Sequence, residues 1–179
     1  MDLWLPSHDY RVRSLKKITF AFAPTPFGEC MALATNTHLL ALHFTEEREK
    51  SLQEFQLKWQ SVRPSLKLRH GRHAEAFLES LFQKREEVPV LAVGTPFQLT
   101  VWEFLRTIPL GTTMTYAEVA KAIGHEGASR AVGQAVGAND LAVAIPCHRV
   151  VSRNSLTGYR WGLERKRKLL AWELGELII

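Results

Sequence analysis

Thr115-Tyr-Ala-Glu-Val-Ala-Lys-Ala-Ile-Gly-His-Glu-Gly-Ala-Ser-Arg-Ala-Val-Gly-Gln-Ala-Val-Gly-Ala138 sets the architecture of the C-terminal half. Thr115 and Glu118 stand at capping-box spacing, which predicts a helix running to about Ile123. Gly124-His-Glu-Gly127 reads as a turn and Ala128–Ala138 as the next helix. Helix, short glycine turn, helix is the outline of a helix-turn-helix. The second helix is unusual in content. Ala128, Ser129, Ala131, Gly133, Ala135, Gly137 and Ala138 are all small, and Arg130 is its one long charged side chain. A helical glycine costs about 1 kcal/mol relative to alanine, so two of them need a reason. Either the backbone approaches another surface closely, or the helix packs tightly inside the protein.

Working upstream, Thr95-Pro96-Phe97-Gln98 predicts another helix start, with Thr95 as N-cap, Pro96 at the first position and Gln98 closing the box. Phe97, Val101, Phe104, Leu105 and Ile108 form its expected buried stripe, and Pro109-Leu110-Gly111 stops it. Working downstream, Asn139-Asp140 ends the small-residue helix, and Leu141–Ile145 leads into Ile145-Pro-Cys-His-Arg-Val-Val151. Apolar residues on both sides make this read as a buried or half-buried extended run. A free thiol near pH 7 is only a few per cent thiolate. The imidazole of His148 and the guanidinium of Arg149 follow Cys147 at once, and either lowers a thiol pKa. In a regular strand, however, His148 faces away from Cys147, so contact needs an irregular backbone or a bridging water. Taken alone, the pair reads first as a structural cysteine in a core strand. Gly158-Tyr-Arg-Trp-Gly162 reads as a glycine-bounded aromatic loop. Leu163–Leu174 reads as a last helix, packing through Leu163, Leu169, Leu170 and Leu174. Its run Arg165-Lys-Arg-Lys168 reads as a solvated face.

The N-terminal half differs. Ile18–Ala23, Gly28–Ala34 and Leu39–Phe44 are short apolar runs separated by turn residues, which predicts a three-stranded antiparallel meander. Glu46–Gln60, ended by Arg63-Pro64, and Ala74–Lys84 carry apolar residues at helical spacing. Met1–Lys17 is either an extension or a first strand. The β-branched run Val88–Val93, bounded by Gly94, marks the boundary, dividing the chain into an α/β domain over 1–92 and a second domain over 93–179. The fold class is therefore α+β in two domains.

The 179 residues are 46% hydrophobic and 23% charged, a globular composition. No apolar run approaches the roughly 20 residues of a membrane span. The N-terminus lacks the pattern of a secretory signal, so a cytoplasmic protein is expected. Two cysteines, Cys30 and Cys147, form no disulfide framework, and Cys30 lies in an apolar run as a small core residue. No histidine has zinc-ligand spacing, so no metal is expected. The net charge of +5 admits a polyanionic partner without requiring one.

Together these stretches resemble one family, the O6-alkylguanine-DNA alkyltransferases, also called methylated-DNA–protein-cysteine methyltransferases. The resemblance rests on Gly94-Thr-Pro-Phe-Gln98, Val101-Trp102, Ile108-Pro109 with Gly111 and Thr113, Tyr116, and Ser129-Arg-Ala-Val-Gly133. It continues through Asn139, Pro146-Cys-His-Arg-Val150, Gly158-Tyr-Arg-Trp-Gly-Leu163, and Lys168-Leu-Leu170 with Glu173, in the family's order. It implies that Cys147 takes the alkyl group from O6 of guanine, and often O4 of thymine, in one irreversible transfer without a cofactor. His148 would act through a water as base, with Glu173 polarising it. Tyr116 would sit near the target base and Asn139 would brace the turn before the nucleophile. Pro146, Val150, Tyr159, Arg160 and Trp161 would complete the base pocket with Tyr116. Ala128, Ser129, Ala131 and Gly133 would enter the minor groove of double-stranded DNA, and Arg130 would hold the space of the flipped nucleotide. The implied folds are a ribonuclease-H-like first domain and a winged-helix-like second one, acting as a monomer.

Three departures from the family pattern stand out. The turn from Val151 to Gly158 is one residue shorter, with Ser152-Arg-Asn-Ser155 in place of its glycine, which bears on which alkyl groups fit. Asp140 replaces a proline after Asn139, which is expected to loosen that turn. Met114 and Thr115 replace a small residue and a serine. Two other functions stay in view. An alkyltransferase-like damage-binding protein would lack the acceptor cysteine, which Cys147 supplies here. A cysteine hydrolase would need an oxyanion-hole motif, and none is evident.

Overall fold

A computed structural model describes residues 1–6, 15, 17–62, 67–153, 155–156 and 158–176. The chain divides into two units, Met1–Val93 and Gly94–Ile179. The first contains β1 (Leu3–Pro6), β2 (Thr19–Thr25), β3 (Gly28–Ala34), β4 (Leu39–Phe44), α1 (Arg48–Val62), β5 (Arg69–His70) and α2 (Arg72–Phe82), and β6 (Leu91–Gly94) leads out of it. β2, β3 and β4 form the expected meander, with Thr19 opposite Ala34 and Cys30 opposite Phe44. The expected three-stranded antiparallel sheet needs correction. β5 adds to β2 in parallel, giving the order β4-β3-β2-β5. Two exposed polar residues carry no apolar alternation, so β5 left no sequence signal. Leu3–Pro6 is a strand and pairs with β6, the Leu3 amide donating to the Val90 carbonyl at 2.8 Å. Residues 7–14 and 16, within the segment left open between extension and strand, and Arg63-Pro64 lie outside the described residues.

β3 is buried along most of its length, which shows that its sheet is covered on both faces. Met31 and Leu33 join Leu5, Leu40, Phe55, Trp59 and Leu91 in one apolar cluster. The intervening Cys30, Ala32 and Ala34 point the other way and are equally buried. Cys30 is thus a small core residue.

The second unit contains α3 (Pro96–Leu105), β7 (Met114–Thr115), α4 (Tyr116–Ala122), α5 (Ser129–Gly137), a 3-10 turn (Cys147–Arg149), β8 (Val150–Val151) and α6 (Leu163–Glu173). Both capping boxes form. Gln98 accepts from the Thr95 amide while Thr95 accepts from the Gln98 amide, and Thr115 and Glu118 do the same. In α3 the buried residues are Leu99, Val101, Trp102 and Leu105, while Phe97 and Phe104 are only half-buried. Phe97 instead packs edge-on to His125 in the α4–α5 turn, with ring centroids 5.3 Å apart. Trp102 donates its indole N–H to the Ala135 carbonyl at 2.7 Å, which ties α3 to α5. β7 and β8 pair in parallel over two residues, and Ser152 and Ser155 form one antiparallel bridge. The shortened turn also contains residues 154 and 157, which lie outside those described. No described helix is long and apolar enough to cross a membrane.

Candidate active site

The backbone before Cys147 is built by Asn139. Its side-chain oxygen accepts from the Leu141 amide at 2.9 Å, and its side-chain nitrogen donates to the Ile145 carbonyl at 3.0 Å. These two bonds close the 139–145 loop, in which Val143 takes a φ of +66°. Pro146 then sits at φ −78°, ψ 63°, and the Cys147 amide donates to the Ile145 carbonyl at 2.8 Å. That is an inverse γ-turn. Cys147-His-Arg149 follows as a 3-10 turn, so the expected extended run is corrected: Cys147 sits at a double turn. The reason is local, because proline's fixed φ and the claimed Ile145 carbonyl leave no ladder partner for a strand. Strand alternation therefore does not separate His148 from Cys147.

His148 is completely buried, and its Nε2 lies 2.6 Å from Glu173 Oε1. Burial lowers the imidazole pKa, and the Glu173 hydrogen bond and charge only partly oppose this. The ring is thus neutral, with Nε2–H directed at the carboxylate and Nδ1 left as the acceptor. Nδ1 is buried and accepts from no group among the described residues. Glu173 is saturated. It also accepts from Arg149 Nε at 3.0 Å, from the second Arg149 nitrogen at 2.8 Å and from the Gly111 amide at 3.0 Å. Burial opposes its ionisation, but the bonds from His148 and Arg149 outweigh this and hold it at about 2.

Cys147 is 2% exposed, and burial pushes its thiol up to about 11. A hydrogen bond from Asn139 and the charges of Lys166 and Arg160 work against that rise. The expectation that the adjacent residues lower the thiol pKa is therefore corrected. Arg149 is committed to Glu173 and to the Ile108 carbonyl. The cations acting on the sulfur come from α6 and the aromatic loop.

A cavity of about 360 Å³ opens beside the thiol, lined by Tyr116, Gly133, Val136, Gly137, Cys147, Gly158, Tyr159, Arg160 and Trp161. Such a volume suits a small planar ligand. Gly133 and Gly137 bear on the question left open by the small-residue helix. A Cβ at Gly133 would meet the Tyr116 ring only at 3.8 Å, and one at Gly137 would meet nothing within 4 Å. Internal packing thus does not demand glycine at either position; both leave room in the cavity. Gly158 is different. Its φ is +72°, and a Cβ there would lie 2.9 Å from the Tyr116 hydroxyl. The aromatic loop is held by Lys166, whose Nζ donates to Gly158 O at 3.2 Å, and by Arg165, which donates to Trp161 O at 2.6 Å. Tyr159 and Trp161 pack edge-on at 5.3 Å.

Two solved structures from Mycobacterium tuberculosis resemble this chain along its length. O6-methylguanine methyltransferase is 33% identical with a TM-score of 0.72, covering 90% of this chain and 95% of that one. OGT in complex with DNA is 32% identical with a TM-score of 0.71, covering 88% and 94%. This chain belongs to the O6-methylguanine-DNA methyltransferase family. The family model described as 6-O-methylguanine DNA methyltransferase, DNA binding domain, matches residues 96–175. The bifunctional transcriptional activator/DNA repair enzyme Ada of Escherichia coli is 36% identical over 160 residues, 87% of this chain but 45% of that protein. The methylated-DNA–protein-cysteine methyltransferase of Shigella flexneri is 48% identical over 89 residues, 49% of this chain and 52% of that protein. The matches thus span about half the length of these curated relatives.

Of the residues singled out for this methyltransferase-family site, the structure brings Tyr116, Gly133, Cys147, Tyr159, Arg160 and Trp161 to one cavity. Asn139 hydrogen-bonds to the Cys147 thiol, while His148 and Glu173 form a buried pair outside the lining set. Pro146 and Val150 are buried outside the lining set, since the turns at 146–149 direct them into the core. Ala128, Ser129, Arg130 and Ala131 lie on the first turns of α5, outside the cavity, with Arg130 exposed. Lys166 was missed. It is completely buried and donates to the Val150 carbonyl at 2.7 Å. Burial lowers its pKa to about 8, against the opposing pull of Cys147. The inward residues of α6 are Lys166, Leu169, Trp172 and Glu173, whereas Leu163 and Leu174 are exposed. Helical spacing back from Glu173 and Leu169 leads to Lys166, inside a run that otherwise reads as solvated.

Proposed function

We propose that this protein repairs DNA by moving a methyl or other alkyl group from O6 of guanine to Cys147 Sγ, once per molecule. The Sγ–C bond forms as the C–O6 bond breaks. The thiol proton passes toward His148 Nδ1, directly or through a water. The departing base is neutralised by the proton of the Tyr116 hydroxyl, and the proton taken up by His148 returns through water to Tyr116. Overall, a thiol and an O6-alkylguanine become a thioether and guanine. A thiol held at about 11 is neutral at rest, so its proton must leave as the reaction proceeds. Glu173, ionised throughout the neutral range, stabilises the imidazolium that results.

A guanine inside a duplex cannot present O6 to a buried sulfur, so the nucleotide is extruded at a cost of a few kcal/mol. α5 enters the minor groove, about 6 Å wide, where its alanines and glycines fit and Arg130 fills the vacated stack. Phosphate contacts supply most of the affinity, which falls with salt. Residues 93–179 form the DNA-binding and alkyl-acceptor domain, winged-helix-like in outline, and residues 1–92 a ribonuclease-H-like companion. O4-methylthymine is a second substrate, and the protein works as a cytoplasmic monomer without cofactor or metal.

The observation that carries this reading is the cavity-lining thiol of Cys147, followed directly in the chain by His148, which is buried and bonded to Glu173. The test is incubation with a duplex bearing O6-methylguanine. Intact mass should rise by one methyl group, mapped to Cys147, and Cys147→Ser should stay unmodified. Repeated turnover, or modification at Cys30 alone, would overturn the reading.

A further inference from the structure

We infer that Asp140 sets which alkyl groups Cys147 accepts, by pinning Arg160 across the mouth of the cavity. This rests on the transfer reaction proposed above. Asp140 directly follows Asn139, whose two hydrogen bonds make the 139–145 loop the rigid base of the nucleophile. Its carboxylate takes an ion pair from Arg160 at 3.0 Å. Arg160 lines the same cavity as Cys147, and its guanidinium lies 5.7 Å from the centre of the Trp161 ring. Arg160 therefore lies over the ring of its own neighbour Trp161 on the aromatic loop and is tied across to a carboxylate on the loop that leads to Cys147.

The sequence alone suggests that an aspartate in a position otherwise taken by proline loosens the turn. The ion pair does the opposite, because it ties the aromatic loop to the turn. The Arg160 side chain is 44% exposed and that of Asp140 is 21% exposed, which places the pair at the rim, where a longer alkyl chain on O6 would need space. A methyl group clears the rim and a butyl group displaces Arg160. Bulky substrates then bear the cost of opening the pair and methyl does not. Exposed ion pairs shift such an equilibrium by up to about fivefold.

The experiment is a competition in which the full chain meets two duplexes of one sequence, one with O6-methylguanine and one with O6-butylguanine. The two adducts on Cys147 differ in mass, so one spectrum reads the ratio, and shared DNA affinity cancels. Asp140→Asn removes the charge and keeps the shape, and should raise the butyl-to-methyl ratio about threefold with the methyl rate unchanged. Asp140→Lys repels Arg160 and should raise it further, while Asp140→Glu should return it close to the starting value. A ratio identical in all four proteins, or a methyl rate falling in step with the butyl rate, overturns the inference. Absence of any methyl adduct on the unaltered protein instead overturns the underlying reaction.

Discussion

Replacing Glu173 by Gln removes one negative charge from the carboxylate that accepts from His148, Arg149 and Gly111. In the folded protein that carboxyl is held at about 2 against an ordinary 4.5. At about 1.36 kcal/mol per pH unit, the difference corresponds to about 3 kcal/mol of stability at pH 7. The sign follows from the direction. A depressed carboxyl pKa stabilises the folded state above the unfolded value, and that stabilisation is lost as pH falls through 4.5 toward 2. The contribution should shrink to about 1.4 kcal/mol at pH 3. The side chain is 2% exposed, so solvent screening does not erase the effect. Gln can keep one acceptor bond but cannot serve His148, Arg149 and Gly111 together, and it leaves the Arg149 cation without its partner. Breaking a buried pair from one side costs about 3–5 kcal/mol, which agrees with the figure from linkage. Urea unfolding of the full chain and the Gln variant, followed by far-ultraviolet circular dichroism between pH 7 and pH 3, measures the gap. A gap below about 1 kcal/mol at pH 7, or one that does not narrow on acidification, would refute the claim that this carboxylate holds the site together.

Gly133→Ala should stabilise the fold by about 1 kcal/mol in thermal melts, since helix propensity improves and the new methyl clashes with nothing. The same methyl intrudes on the base cavity, so transfer from O6-methylguanine should slow; a faster rate would contradict the assigned role. Lys166→Met removes a cation whose burial lowers its pKa from 10.5 to about 8, which disfavours folding in full below about pH 8 and progressively less as pH rises toward 10.5. Stability should therefore change little, with lost carbonyl bonds offset by relieved burial, while transfer slows at least about tenfold because the thiolate and the Gly158 wall both lose their support. An undiminished rate would remove Lys166 from the site. Asn139→Ala should cost about 2 kcal/mol in urea unfolding, from two buried hydrogen bonds, and should lower Cys147 reactivity toward small alkylating reagents, because the thiol loses a hydrogen bond that opposes its raised pKa. A cost below about 0.5 kcal/mol would show that the loop holds itself.

The sequence by itself determined the elements whose signals are local. The Thr95–Gln98 and Thr115–Glu118 boxes mark helix starts because both partners of each box lie within one turn. The meander of β2, β3 and β4 is legible because alternation and turn residues are neighbours in the chain. The succession of Tyr116, Asn139, Cys147, His148 and Glu173 is legible as well, because family likeness is carried by residue order. Only the tertiary structure decided the rest. β5 joins its sheet through backbone bonds to a strand some fifty residues away, which leaves no trace in two polar residues. Arg149 stands next to the nucleophile in the chain yet serves Glu173, whereas Lys166 and Arg160, distant in sequence, act on the sulfur. Chain neighbours at a turn diverge in space, and the charge that a buried group feels is set by what packs around it. For the same reason adjacency suggested an activated thiol, while burial in the folded protein produced a protonated one.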